Sequence, residues 1–190
     1  MPWKSSILPV KKHFTYYEKS EEQRSEYKAK LNKVPQEKRV YVDESGINTH
    51  LQREYGRSLR GEIIEDVKRG SKFARVNVIG ALCNNDYYAI ECYNHSTDSV
   101  YFEGWFENYL LKEIPKGNTV IMDNARFHKK QRLRKLARGK VRLLFLPPYS
   151  PDFNPIEKSW ANMKRYIRDN IQDYQSVDSA INDYFGFSNI

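Results

Sequence analysis

Three acidic residues sit where their local sequence suits them to chemistry. Asp43 ends the β-rich run Arg39-Val40-Tyr41-Val42, and Asp123 ends the apolar run Thr119-Val120-Ile121-Met122. Glu157 opens a helical pattern that follows Asn154-Pro155. If the two runs are neighbouring parallel strands, both aspartates lie at one edge of a sheet, where α/β folds bind their ligands. Three converging carboxylates repel one another unless a hard cation neutralises them. Mg²⁺ suits that donor set, because it takes oxygen ligands and keeps positions open for phosphate oxygens. Two such ions about 3.5–4 Å apart hold the attacking and leaving oxygens of an in-line phosphoryl transfer. Each acid also has an ordinary structural role. A strand-end aspartate forms turns, and Asn154-x-x-Glu157 is close to a capping box.

The charge distribution points to a polyanionic substrate. The 190 residues carry 32 basic and 24 acidic side chains, a net +8. Residues 1–40 carry ten and five, residues 41–120 nine and twelve, residues 121–170 thirteen and four, and residues 171–190 none and three. Lys129, Lys130, Arg132, Arg134, Lys135 and Arg138 crowd one segment with no acid among them. A single charge run is ordinarily a solvated helix face. Six mutually repelling cations beside three acids fit nucleic acid better. Lys158, Lys164, Arg165 and Arg168 extend that phosphate-binding surface around Glu157.

The positioning elements follow from periodicity. Residues 1–16 read as a basic irregular arm. Ser20-Glu21-Glu22-Gln23 is a capping box opening a helix to about Leu31, before Pro35. A strand over 39–43 is followed by Gly46, a second strand by 48–57, and a polar loop by 56–70. Ala74–Cys83 and Tyr87–Cys92 form a hairpin, with Cys83 and Cys92 several rungs apart as reduced thiols. Val100, Phe102, Trp105, Phe106, Tyr109 and Leu110 predict a helix from Thr97 to Pro115. Residues 119–123 form a strand, 129–138 a short basic helix and 141–146 another strand. Asn154 then caps a helix to Asn170 that buries Ile156, Trp160, Met163 and Ile167. A last helix from Ser176 buries Ala180, Ile181, Tyr184 and Phe185. This order predicts an α/β domain, a mixed sheet flanked by helices. No 18-residue apolar run and no secretory signal occur, so a soluble, cytoplasmic protein with no membrane partner is expected.

Three motifs make a family resemblance. Tyr41-Val42-Asp43-Glu44-Ser45-Gly46, Val120-Ile121-Met122-Asp123-Asn124-Ala125-Arg126-Phe127-His128 and Leu146-Pro147-Pro148-Tyr149-Ser150-Pro151-Asp152-Phe153-Asn154-Pro155-Ile156-Glu157 resemble the catalytic core of mariner-like DDE transposases, bacterial insertion-sequence branch. The motifs occur in the family order, with 33 residues between Asp123 and Glu157. The resemblance spans about residues 14–170. It implies a ribonuclease-H-like fold and Asp43, Asp123 and Glu157 as the catalytic, metal-binding triad. Two Mg²⁺ ions, replaceable by Mn²⁺, would then serve cleavage of transposon-end DNA and strand transfer to a target duplex. A homodimer on DNA in a bacterial, nucleoid-associated setting is also implied. The organisation expected is an arm and linker helix at 1–38, a catalytic domain at 39–170 and a helical extension at 171–190.

Such transposases carry helix-turn-helix domains ahead of the core, for which the opening forty residues leave no room. A separately encoded or frameshift-joined DNA-binding part is expected, or a truncated copy. Two rival readings remain: a structure-selective nuclease of the same fold, and a non-catalytic DNA-binding remnant or regulator of a full-length transposase. Among the neighbours of the acids, His128 either orients an acid, touches DNA or packs at a helix start. Glu44 and Asn124 are expected to face away from the acids. Tyr149 either stacks on a base or packs its loop, and Trp160 belongs to the core.

Overall fold

Two-residue alternation builds the centre of the molecule. In the computed structural model, which describes residues 20–48 and 75–186, strand β1 runs over Arg39–Asn48. Val40 and Val42 enter one hydrophobic cluster while Tyr41 and Ile47 enter another, as opposite faces of a strand must. Strands β2 (Arg75–Cys83), β3 (Asp86–Tyr93), β4 (Thr119–Met122) and β5 (Arg142–Phe145) complete a five-stranded sheet in the order β3-β2-β1-β4-β5. β1, β2 and β3 pair antiparallel, whereas β4 pairs parallel with both β1 and β5. The expected mixed sheet is present.

Helices cover both faces. On one face, α2 (Ser99–Trp105) passes through a π-helical turn at Phe106–Leu110 into α3 (Leu111–Glu113), and α4 (Lys130–Ala137) lies in the same layer. Phe102, Trp105, Phe106, Leu110 and Leu133 pack there against Val40, Val42, Val120 and Met122. On the other face, α5 (Ile156–Asn170) and α6 (Val177–Tyr184) pack against Ile47, Val76 and Val78. The stripe Ile156, Trp160, Met163 and Ile167 is fully inside, so Trp160 is a core residue as expected. Helix α1 (Glu21–Leu31) places Tyr27 in a third cluster with Ile121 and Leu146. Ser20 caps it by accepting from Gln23 N at 3.3 Å. Ser176 caps α6 in a full capping box with Ser179.

Several expectations need correction. β1 does not stop at Asp43 but continues through Gly46 to Asn48, because β2 pairs with it over that whole length, Asp43 opposite Gly80. Asn48 therefore belongs to β1; the remainder of the expected second strand, the 56–70 loop and the basic arm fall outside the described residues. Val100 and Tyr109 are exposed, at 77% and 52%, rather than core. The π turn shifts the helical phase at Tyr109, and Val100, two residues before Phe102, lies on the opposite face of α2. The hairpin pairs Cys83 with Asp86 and Cys92 with Val78, and both thiols are free. Among the described residues no helix is long and apolar enough to cross a membrane.

The sheet is irregular beside Asp43. The β2–β3 register slips between Ile79 and Ala81, and Ala89 takes the left-handed backbone region at φ 50°. Both of its backbone groups are held: its N–H donates to Glu113 Oε2 at 2.6 Å, and its carbonyl accepts from Trp105 Nε1 at 2.8 Å. Gly80, opposite Asp43, leaves the space that Ile90 and Trp160 occupy. A Cβ there would overlap Ile90 Cδ1 and sit 3.2 Å from Trp160 Cη2. The missing side chain thus lets α5 lie close over the sheet.

Candidate active site

The parallel register brings the two aspartates together. β1 and β4 pair as Arg39↔Thr119, Val40↔Val120 and Tyr41↔Ile121, an offset of 119 − 39 = 80 residues. Continued beyond the last paired residues, the same offset would bring Asp43 beside Asp123, whose charge acts on Asp43. β4 ends at Met122, so Asp123 stands where the chain leaves the sheet, beside a strand that continues. Glu157 approaches from the next layer, on the first turn of α5. A cleft between β1 and α5 is lined by Asp43, Gly46, Glu157, Trp160 and Lys164.

The acids share one electrostatic field. Burial, then the charges of Glu44, Glu157 and Asp123, push the Asp43 carboxyl up to about 8. Asp123 goes the other way. Burial alone would raise it, but hydrogen bonds from His128 and from Ala125 N–H hold it below the ordinary carboxylate value. Ala125 N donates to Asp123 Oδ1 at 2.9 Å, and His128 Nδ1 lies 3.0 Å from the same oxygen. Asp123 keeps half of its side chain exposed, so it remains open to a ligand.

His128 is the residue whose role the sequence left open. It is 4% exposed, and its ring packs 4.1 Å from that of Phe102. Nε2 reaches Glu44 Oε1 at 3.4 Å, so one imidazole bridges Glu44 and Asp123. Burial works against its charge, but the bonds to Asp123 and Glu44 outweigh it and raise His128 to about 9. Its geometry is that of a buried group orienting Asp123 from inside the core. Alternation does send Glu44 to the face opposite Asp43, but there it meets His128 and stays in the acid cluster. Asn124 turns away, its amide donating to Leu146 O at 2.5 Å.

The capping account of this region is corrected too. No side chain caps α5, and the Asn154 Oδ1 atom is buried without a hydrogen-bond partner. The Asn154 N–H already donates to Pro151 O at 2.8 Å, so it offers Glu157 no donor for a capping box. Glu157 itself is exposed. Tyr149 is 48% exposed with φ 52° in the proline-rich loop.

The basic residues divide between the two layers. Lys129, Lys130, Arg132 and Arg134 are exposed at α4, with Arg132 Nε 3.4 Å from Glu103 and Lys130 Nζ 4.9 Å over the Phe145 ring. Lys158, Arg165 and Arg168 are exposed on α5, and Lys164 lines the cleft. The structure brings Lys164 to the acids but leaves the α4 set on the other side of the sheet, because Leu133 and the Met163 stripe enter different clusters.

Among the described residues no three His, Cys, Asp or Glu side chains stand close enough to ligate an ion as they are. The donor set nevertheless fits a hard divalent cation. It is all oxygen, and the charges of Glu157 and Asp123 both bear on Asp43, a repulsion that such a cation would relieve.

Residues 38–178 match the family described as DDE superfamily endonuclease. No curated protein matches the sequence. Among solved structures, the Mos1 transposase paired-end complex with left transposon end is similar at TM-score 0.73 and 15% identity, over 97% of this chain and 61% of that one. The Mos1 mariner paired-end complex with Mn is similar at TM-score 0.68 and 14% identity, covering 97% and 61%. The catalytic domain of Mos1 mariner transposase gives TM-score 0.62 and 14% identity over 93% and 85%. The chain thus spans about three fifths of the longer Mos1 chains, and the shared fold is ribonuclease-H-like.

Proposed function

Because the chain belongs to the DDE superfamily of endonucleases, we propose that it is the catalytic core of a DDE transposase of the insertion-sequence branch. It would cut transposon-end DNA and join the freed 3′ end to a target duplex. The observation that carries this reading is that Asp43 lines one cleft with Glu157 and feels the charges of both Glu157 and Asp123, the latter leaving a strand that runs parallel to β1. Residues 39–170 are the catalytic unit on this reading.

Asp43, Asp123 and Glu157 would hold two divalent ions, Mg²⁺ or Mn²⁺. Bound there, the metal supplies Lewis acidity toward the phosphate and activates the attacking oxygen. The chain's own residues do the rest. His128 and Ala125 N–H fix the Asp123 carboxylate through Oδ1. Lys164, beside Glu157 in the cleft, offers a cation to a substrate phosphate. No side-chain nucleophile is needed on this reading, and no covalent enzyme–DNA intermediate is required. A homodimer on DNA and a helix-turn-helix part complete the proposal, in a bacterial cytoplasm.

Strand transfer is the discriminating experiment. Labelled transposon-end duplexes, a supercoiled target plasmid and Mg²⁺ are incubated with the protein and a fused DNA-binding part. Labelled plasmid is the expected product. Hydrolysis confined to branched or RNA–DNA hybrid substrates would establish the structure-selective nuclease, and DNA binding without cleavage the regulator.

The DNA surface has its own test. Affinity for arbitrary duplex should fall steeply with salt, because each neutralised phosphate contributes about −0.9 to the logarithmic slope. Neutralising Lys129, Lys130, Arg132 and Arg134 together should flatten that slope by about 3, less than four because Arg132 already has Glu103. An unchanged slope moves the surface to Lys158, Arg165 and Arg168 on α5.

A further inference from the structure

Helix α1 precedes the residues that match the family, yet it is fastened to the loop that leads into α5 and Glu157. Arg24 is only 7% exposed. Its Nη1 donates to Ser150 Oγ at 2.8 Å and to Asp152 Oδ1 at 3.0 Å, while Nη2 donates to Asp152 Oδ2 at 2.6 Å. The guanidinium carbon lies 4.2 Å from the Phe153 ring centroid, and Tyr27 stacks on the same ring at 5.1 Å. From there to Glu157 the backbone is one hydrogen-bonded unit. Phe153 N donates to Ser150 O at 3.1 Å, Asn154 N to Pro151 O at 2.8 Å, and Glu157 N to Asn154 O at 3.2 Å.

A buried guanidinium is an expensive way to hold a helix against a loop, since well-packed apolar residues of similar volume do as well or better. What the planar fork adds is direction: two parallel bonds to one carboxylate fix that carboxylate's orientation as well as its distance. Asp152 is the middle residue of the Pro151–Phe153 turn, so its orientation sets the pitch at which the chain enters α5. We propose that Arg24 is a positioning residue of the active site. Through Asp152 and Phe153 it sets where the Glu157 carboxylate stands relative to Asp43 and Asp123. The helix ahead of the matched domain is then part of the catalytic machinery. This inference rests on the reading of Glu157 as a metal ligand.

The test uses the full chain without DNA. Mn²⁺ affinity, hydrogen exchange at the Phe153, Asn154 and Glu157 amides, and melting temperature are measured for the parent, Arg24→Gln, Arg24→Lys, Asp152→Asn, Glu157→Gln and the exchange Arg24→Asp with Asp152→Arg. Arg24→Gln should weaken Mn²⁺ binding about tenfold, as loss of a group that orients a ligand does. The three amides should exchange faster, Arg24→Lys should fall between, and the exchanged pair should regain most of the affinity. If Arg24→Gln does not fold, Asp152→Asn carries the same expectation with its volume kept. Parent-like Mn²⁺ affinity in folded Arg24→Gln or Asp152→Asn, with Glu157→Gln impaired, overturns the positioning role and leaves the Glu157 reading intact. Parent-like affinity in Glu157→Gln removes the ligand itself, and the positioning role falls with it.

Discussion

Glu157→Gln should cleave transposon-end DNA slower than the parent by orders of magnitude while melting at nearly the parent's temperature. The two roles open to this residue need different chemistry. A capping residue needs only a side-chain acceptor, which glutamine supplies. A metal ligand must offer an anionic oxygen to a hard cation, which a neutral amide does poorly. In the structure the cap has little left to do: the Asn154 N–H donates to Pro151, and Glu157 is exposed on the first turn of α5. The helix should therefore lose no more than about 1 kcal/mol. Cleavage is measured with a DNA-binding part fused or added, so that missing recognition does not pass for missing chemistry. Parent-like cleavage by Glu157→Gln would remove it from the proposed triad.

The parts of this site that were legible in the sequence are those set by local pattern. The runs ending at Asp43 and Asp123 announce strands, and the spacing of Ile156, Trp160, Met163 and Ile167 announces α5. What pattern cannot show is pairing. That β1 runs on past Asp43 follows from β2 lying alongside it, a contact across the chain with Asp43 opposite Gly80. Nor does spacing reveal that His128 reaches Glu44 across 84 residues of sequence. A histidine five positions after an acid left orienting that acid, touching DNA and packing at the helix start all open. Its second partner was hidden, because strand alternation correctly sends Glu44 away from Asp43. Nor does spacing reveal where the two basic sets of residues 121–170 stand: α4 and α5 bury their apolar stripes on opposite faces of the sheet. Arg24 was not legible at all, for nothing in a charged helix marks one arginine as buried against a loop more than a hundred residues away.

Asp43→Asn should stabilise the metal-free domain at alkaline pH and abolish its cleavage of DNA. The Asp43 carboxyl is raised from an ordinary 3.8 to about 8 by burial and by Glu44, Glu157 and Asp123. A group raised on folding binds its proton more tightly in the native state. Its stabilising contribution is thus complete below pH 3.8, declines as pH rises and is gone above 8. Asparagine removes that loss, so the variant should be more stable than the parent at pH 9 by about 2–4 kcal/mol. At pH 4 the two should melt almost alike. A shallower decline between about 6.5 and 9 should persist in the variant, because His128 is raised to about 9 and loses its proton there. Mg²⁺ should stabilise the parent far more than the variant. It neutralises the carboxylates of the parent and raises its melting temperature at pH 8 by mass action, whereas the variant, short of one ligand, gains little. Thermal unfolding from pH 4 to 9 with and without Mg²⁺ checks these four expectations, and a cleavage assay the loss of activity. Destabilisation of Asp43→Asn at every pH would mean that the carboxylate is a structural group of β1, held there by the fold rather than against it.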